Sequence, residues 1–153
     1  MILSLRNAKS EDIKLYYDWA IDPVVRDTAI SSAPIVWESH KNWFYSKLQS
    51  KSILLVLMLD ECPIGQIKFD LKSDGCYYLG YSIDSKYRGK GYGKKIIDLG
   101  IQYLNKKNIH ITIIAQVKKS NIASIKVFEA TSFQYKGEVS THNILLKEYE
   151  FRT

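Results

Sequence analysis

Cysteine is scarce in this chain: of 153 residues only Cys62 and Cys76 are cysteines, and they form neither a CxxC pair nor any other ligand spacing. That sets aside a disulfide framework and a zinc site, leaving reduced thiols and no expected metal. Long apolar runs are lacking as well. Nothing approaches the roughly 18 uninterrupted apolar residues of a bilayer-crossing helix, so no membrane partner is expected. The opening MILSLRNAKSEDIK has no basic leader, long apolar core or small-residue cleavage site, and a cytoplasmic location is the simplest expectation. Repeats, low-complexity tracts and linkers are also missing. With about 100 to 200 residues per core as the norm, one domain spanning residues 1–153 is expected.

What is present is a globular composition, 46% hydrophobic and 25% charged, with a formal charge of +6. Such a charge suits nucleic acid, an anionic surface or a phosphorylated small molecule, and its placement decides between them. Lys86, Arg88, Lys90, Lys94 and Lys95 crowd around a group of glycines, while Lys106, Lys107, Lys118 and Lys119 lie near element ends. A single phosphate site accounts for the cluster. No nucleic-acid partner is expected, because that reading calls for basic and aromatic side chains interleaved on one exposed sheet face.

Leu3 and Leu5 alternate with polar neighbours as a first strand, and Ser10, Glu11 and Asp12 suit the start of a helix reaching Ala20. Asp22-Pro23 breaks it, and a loop of small residues is expected as far as Pro34. A second helix, Trp37 to Leu48, places Trp37, Lys41, Phe44 and Leu48 on one face. Ile53 to Leu59 and Ile64 to Leu71 read as a hairpin around Asp60-Glu61-Cys62-Pro63, and Asp74-Gly75 turns into a further strand, Cys76 to Ile83. From Gly91 the period becomes helical through Ile97, Ile101 and Leu104, with Asn108 as the stop. His110 to Val117 is a buried strand by its β-branched content, and Asn121 caps a helix carrying Ile122, Ile125 and Phe128. Phe133 to Tyr135 and Asn143 to Phe151, with Gly137 between them, close the sheet. The expected fold is α/β (α+β layered): a mixed sheet with helices on both faces.

The densest feature is YSIDSKYRGKGYGKK, Tyr81 to Lys95. The Walker A pattern GxxxxGK[ST] is not met, and GxGxxG fails because the glycine after Gly89 and Gly91 is Gly93. A solvated surface turn is the plain alternative. Glycines at these positions nevertheless let backbone N–H groups approach an anion at the start of a helix, whose dipole favours the same charge. Phosphate is the natural guest. The strand leading into the loop suits an elongated ligand, with phosphates at one end and amides further along.

Arg88-Gly89-Lys90-Gly91-Tyr92-Gly93 resembles the [QR]xxGxG[GA] acetyl-CoA loop of the GNAT N-acetyltransferase superfamily, and LGYSID precedes it where that family often has IGYxLxPxYRGKG. QVKKSNIASIKVFEATSF, Gln116 to Phe133, is similar to the family's VxxxNxxAxxxYExxGF segment. The resemblance covers most of residues 64 to 135. It implies a mostly antiparallel sheet of about seven strands whose fourth and fifth splay apart, and acetyl-CoA as co-substrate. Pyrophosphate would lie on Arg88, Gly89, Lys90, Gly91, Tyr92, Gly93 and Lys94, mostly on backbone groups. Pantetheine would pair with strand groups at Tyr81 and Ile83. Asn121, Ser124 and Phe128 follow as further cofactor contacts, Asn121 doubling as a helix cap. The N–H near Tyr81 would polarise the thioester carbonyl, and no covalent nucleophile is needed.

Two departures from the family bear on the chemistry. Where the family often carries a carboxylate base this chain has Tyr78 and Gln116, and where it carries a tyrosine as thiolate donor this chain has Phe128. The catalytic candidates are therefore Tyr78, Tyr81 and Gln116, with proton removal through water held by Gln116 and Tyr78 as the favoured route. A base from elsewhere, such as His142 or His40, and a degenerate site stay open.

Acceptor choice falls to Tyr16 to Phe44. Its W-x-x-D-P-x-V-R and W-x-x-H-x-x-W-F patterns, with GQIKFD at Gly65 to Asp70, look like the amino-sugar nucleotide acetyltransferases of pseudaminic and related nonulosonic acid pathways. The implied substrate contacts are Trp19 and Trp43 stacking on a ring, Arg26 on a diphosphate, His40 on a hydroxyl or the amine proton, and Asp22 beside them. Tryptophans at helical spacing suit a core equally well. The expected partner is a small-molecule amine, a UDP-linked amino sugar first. N-terminal acetylation of a ribosomal or other protein and a noncatalytic acyl-CoA sensor are the alternatives, and homodimerisation stays open.

Overall fold

The computed structural model describes residues 1–153. In it, β1 (Leu3–Asn7) pairs antiparallel with β2 (Ile53–Leu59), β2 with β3 (Cys62–Ser73), and β3 with β4 (Cys76–Ile83). Beyond them β5 (Thr112–Lys118) pairs antiparallel with β7 (Ile144–Arg152), and β7 with β6 (Gln134–Thr141). A parallel contact between β4 and β5 joins the halves into one seven-stranded sheet of order β1-β2-β3-β4-β5-β7-β6. Five helices accompany it: α1 (Ile13–Ala20), α2 (Pro23–Thr28), α3 (Trp37–Leu48), α4 (Tyr92–Lys106) and α5 (Ile122–Glu129).

Strand alternation assigns the two faces. Ile67 and Phe69 of β3 are fully buried in the larger core with Ile96, Ile97 and Leu104 of α4 and Phe128 of α5. Gly100 lets α4 approach this closely, because a Cβ there would stand 3.0 Å from both Ile67 Cδ1 and Phe69 Cζ. On the opposite face Tyr16, Trp19 and Phe44 of α1 and α3 pack on Leu54 and Val56 of β2. Lys68 and Asp70, between the buried residues of β3, belong to that second face.

Several local expectations are corrected. The loop after Asp22 begins instead with α2, whose N-cap is Asp22: its carboxylate accepts from Val24 N at 3.0 Å and Val25 N at 3.2 Å. Pro23 at the first helical position loses no hydrogen bond, so Asp-Pro starts a helix as readily as it stops one. β6 runs on to Thr141, and the hairpin turns at His142-Asn143, with φ of 50° and 63°. Two consecutive left-handed residues match the twist of the flanking strands. Gly137, at φ 121°, marks a register shift within β6 rather than a turn. The β2–β3 turn is tighter than expected, with Leu59 opposite Cys62, and β5 begins at Thr112 rather than His110.

Candidate active site

β4 and β5 are in register only at Cys76–Thr112, Tyr77–Ile113 and Tyr78–Ile114. Beyond Tyr78 they diverge, since β5 stays paired with β7 along its whole length and is drawn away from β4. The β5-facing amides of Leu79 to Ile83 are thus left without a strand. Along this opening lie two cavities of about 350 and 340 Å³, which share Val25, Thr28, Tyr81, Ser82, Asn121 and Ser124.

The glycine loop walls one cavity. Gly89 and Gly91 have φ of 74° and 84°, with nothing within 4 Å of a Cβ at either, so backbone conformation rather than crowding requires glycine there. Gly91 is the N-cap of α4 and no side chain caps the helix. The N–H groups of its first turn are therefore free for an outside acceptor, and the dipole of this 15-residue helix adds to them. Arg88 is committed inward: Nε donates to Ile83 O at 2.9 Å and Nη2 meets Asp22 Oδ1 at 3.1 Å. Ile83, Tyr92, Gly93 and Lys94 line this cavity. Lys90 does not; it is exposed, its Nζ 5.8 Å from the Tyr87 ring centre.

Where the cavities join, Tyr81 OH and Ser124 Oγ share a hydrogen bond of 2.8 Å. Asn121 Oδ1 accepts from Ser124 N at 3.2 Å, capping α5. Burial pushes the Tyr81 phenol above its ordinary pKa, against the pull of the Ser124 bond. Phe128 packs edge-on to Tyr81 at 6.1 Å and stacks on Tyr149 at 5.4 Å.

The second cavity opens on the α1–α3 face. Tyr78 and Gln116 both line it, with Arg26, Gln66, Lys68, Asp70 and Lys72. Gln116 Nε2 donates to Glu148 Oε1 at 3.0 Å across the β5–β7 ladder, which places a carboxylate behind it. Arg26 Nε donates to Ala20 O at 2.7 Å and Nη1 to Ser31 O and Ala33 O at 3.2 and 3.1 Å, so it pins the segment after α2. Asp70 accepts from Lys47 Nζ at 2.5 Å and Ser52 Oγ at 2.8 Å. Burial alone would raise its pKa, but these partners hold it below the ordinary carboxylate value.

The sequence-derived residues divide accordingly. The catalytic candidates and nearly all the cofactor candidates border the two cavities, and Arg26 joins them from the acceptor set. His40 is corrected: it is 4% exposed between α1 and α3, and its Nε2–H donates to Ile13 O at 3.3 Å. Burial pushes its pKa below the ordinary imidazole value, which opposes proton uptake there. Trp19 is likewise core, 6% exposed, with its indole N–H donating to Asp84 Oδ2 at 3.0 Å. Asp22 is spent on its helix cap and Arg88. Trp43 lies behind the cavity, its ring 4.9 Å from Lys68 Nζ. Helical spacing of aromatics served the α1–α3 interface rather than an open platform. Lys68, Asp70, Lys72 and Glu148 were missed. Alternation along GQIKFD was the available signal for Lys68 and Asp70, whereas nothing local pointed to Glu148.

Known proteins agree with this architecture. Residues 3–134 match the family described as Acetyltransferase (GNAT) domain. N-acetyltransferase p20 of Bacillus licheniformis is 27% identical over 161 residues, 97% of this chain and 84% of that protein. A Methanocaldococcus jannaschii protein is 24% identical over 135 residues, 85% of this chain, but the match spans only 28% of its length. Among solved structures, the aminoglycoside acetyltransferase AAC(6')-Ib with paromomycin and acetyl-CoA superposes with a TM-score of 0.85 at 17% identity, covering 99% of this chain and 94% of that one. Spermidine N-acetyltransferase from Vibrio cholerae, with CoA and spermine, gives 0.85 at 14% identity, covering 98% and 95%. These structural likenesses speak to the fold, and it is the family match, running across most of the sheet and both cavities, that makes the chain a member of the GNAT acetyltransferase family.

Proposed function

We propose that the protein is an acetyl-CoA-dependent N-acetyltransferase that passes an acetyl group to a primary amine by direct attack, and that the acceptor is an amino-sugar nucleotide. The observation that carries acyl transfer is the splayed β4–β5 edge with an uncapped helix N-terminus at one end and a separate cavity at the other. Acetyl-CoA fits this frame as an added strand: phosphates on the first turn of α4, amides along Leu79 to Ile83, and the thioester beside Tyr81. The neutral amine attacks the thioester carbon; the C–N bond forms and the C–S bond breaks. One proton leaves the nitrogen through water between Tyr78 and Gln116, whose amide Glu148 orients. The CoA sulfur takes up a proton from the Tyr81 hydroxyl, which stands in for the one that Phe128 lacks, and the phenolate is reprotonated by way of the water that accepted the amine's proton, so that no net proton is lost.

The acceptor reading is supported by the positive charge in the lining of the second cavity, from Arg26 and from Lys72, whose Nζ stands 5.5 Å from the Tyr78 ring centre. Thiol release from acetyl-CoA, followed across UDP-linked amino sugars, peptides and polyamines, tests it. Transfer is expected to the amino sugars. Transfer confined to peptides or polyamines would remove the sugar nucleotide, and CoA binding without transfer to any amine would leave a sensor.

A further inference from the structure

Lys68 is the one cation of the acceptor cavity with no partner of its own. Its ammonium has no hydrogen bond or ion pair within the protein, although it lines the cavity and the residue is half-buried. The nearest acid, Asp70, is already committed to Lys47, to Ser52 and, at 3.4 Å, to Lys72. The charges acting on Lys68 are thus Asp70 in its favour and Lys47, Lys72 and Arg26 against it, and burial pushes its pKa below the ordinary lysine value. Trp43 covers one side of the ammonium at 4.9 Å. A ring face answers the charge from that side only, and the N–H donors directed elsewhere meet no acceptor from the protein.

The neighbouring strand makes room for this arrangement. Gly80 stands opposite Lys68 in the β3–β4 register, and a Cβ on Gly80 would come within 3.0 Å of Lys68 Cε. The lysine therefore lies across a bare stretch of β4, just where β4 parts from β5. Tyr78 and Tyr81, on either side of Gly80, border the same cavity.

We propose that Lys68, backed by Trp43 and flanked by Lys72 and Arg26, is a subsite for a phosphate oxyanion carried by the acceptor. An oxyanion would take the place of solvent at the ammonium with charge-assisted hydrogen bonds and offset the charge of a cavity that holds more cations than acids. The inference rests on the acyl-transfer reading and narrows it: the acceptor is an amine that also bears phosphate, and polycationic amines are disfavoured by the same charges. The acceptors that give the structurally similar aminoglycoside and spermidine enzymes their names are of that disfavoured kind.

Calorimetric titration of protein saturated with CoA tests the subsite while the cofactor's own phosphates fill the glycine loop. UDP and inorganic pyrophosphate are expected to bind, and Lys68→Met to weaken both by about tenfold or more, as for a charge-assisted hydrogen bond to phosphate. Lys68→Arg should restore most of the affinity, uridine should be indifferent to either change, and unchanged CoA affinity reports an intact fold. The subsite is overturned if neither anion binds the CoA-loaded protein, if Lys68→Met leaves their affinity untouched, or if spermidine binds as tightly as UDP. Failure of transfer to every amino-sugar nucleotide with UDP binding intact would remove the sugar alone.

Discussion

Gly91→Asp separates folding from cofactor binding at one atom group. Gly91 sits at φ 84° with no atom within 4 Å of a Cβ, so a side chain fits sterically and only the left-handed backbone opposes it. That conformation costs an ordinary L-residue about 1 to 2 kcal/mol, and Asp less than most. Binding suffers more. A carboxylate at the start of α4 would face the cofactor's phosphates at roughly 5 Å, worth about 3 kcal/mol of repulsion at an effective dielectric near 20. CoA affinity should therefore fall about 100-fold or more, while the melting transition stays cooperative. Gly91→Ala adds no charge and should lose about tenfold at most. Calorimetry with CoA beside thermal melts of both variants reads the difference. A folded Gly91→Asp protein that binds CoA like the wild type would refute the placement of phosphate at this helix.

Tyr81→Phe removes the hydroxyl held by Ser124 and should lower kcat about 10- to 100-fold with CoA affinity nearly unchanged; an unaltered kcat would exclude Tyr81 as the thiolate's proton donor. Arg6 and Asp12 form a two-pronged pair at 2.8 and 2.9 Å on a carboxylate that also accepts from Lys9 N. The Arg6 bond holds the Asp12 carboxyl below its ordinary value of 3.8. A depressed folded pKa contributes stability that is complete above the unfolded value and lost as pH falls through the folded one. Arg6→Ala should thus cost about 1 to 2 kcal/mol at neutral pH, as for a charge-assisted pair that solvent partly screens, and urea melts should show the gap to wild type shrinking as pH falls below the ordinary value of 3.8. A gap independent of pH would show that packing, not charge, is what Arg6 contributes.

The cofactor end was legible because its determinants are local. Gly89, Gly91 and the uncapped start of α4 lie within a few residues, and so do Asn121 and the Ser124 N–H it caps. The acceptor end depends on register between distant strands. Glu148 reaches Gln116 only because β5 and β7 pair at those two positions, and Lys68 finds open space only because Gly80 lies opposite. Neither relation has a sequence spacing. The aromatics around His40 misled for a different reason: periodicity identifies a face of α3 but not what covers it, and α1 covers that one.

α2 resolves a mechanical difficulty that the splay creates. Strands that part leave a gap that no ladder hydrogen bond holds at a set width, and a fold tends to close such an edge or fill it. Here a short helix spans the gap. At its start Asp22 Oδ1 both caps the helix and meets Arg88, whose Nε is fastened to the end of β4. Towards its other end the Asp27 carbonyl accepts from Lys118 Nζ, at the end of β5, at 2.9 Å. One helix is thus tied to both diverging strands, and its Val25 and Thr28 line both cavities. The same Asp22-Pro23 step that reads in sequence as the end of a helix is the anchor that spaces the cofactor loop from the acceptor cavity.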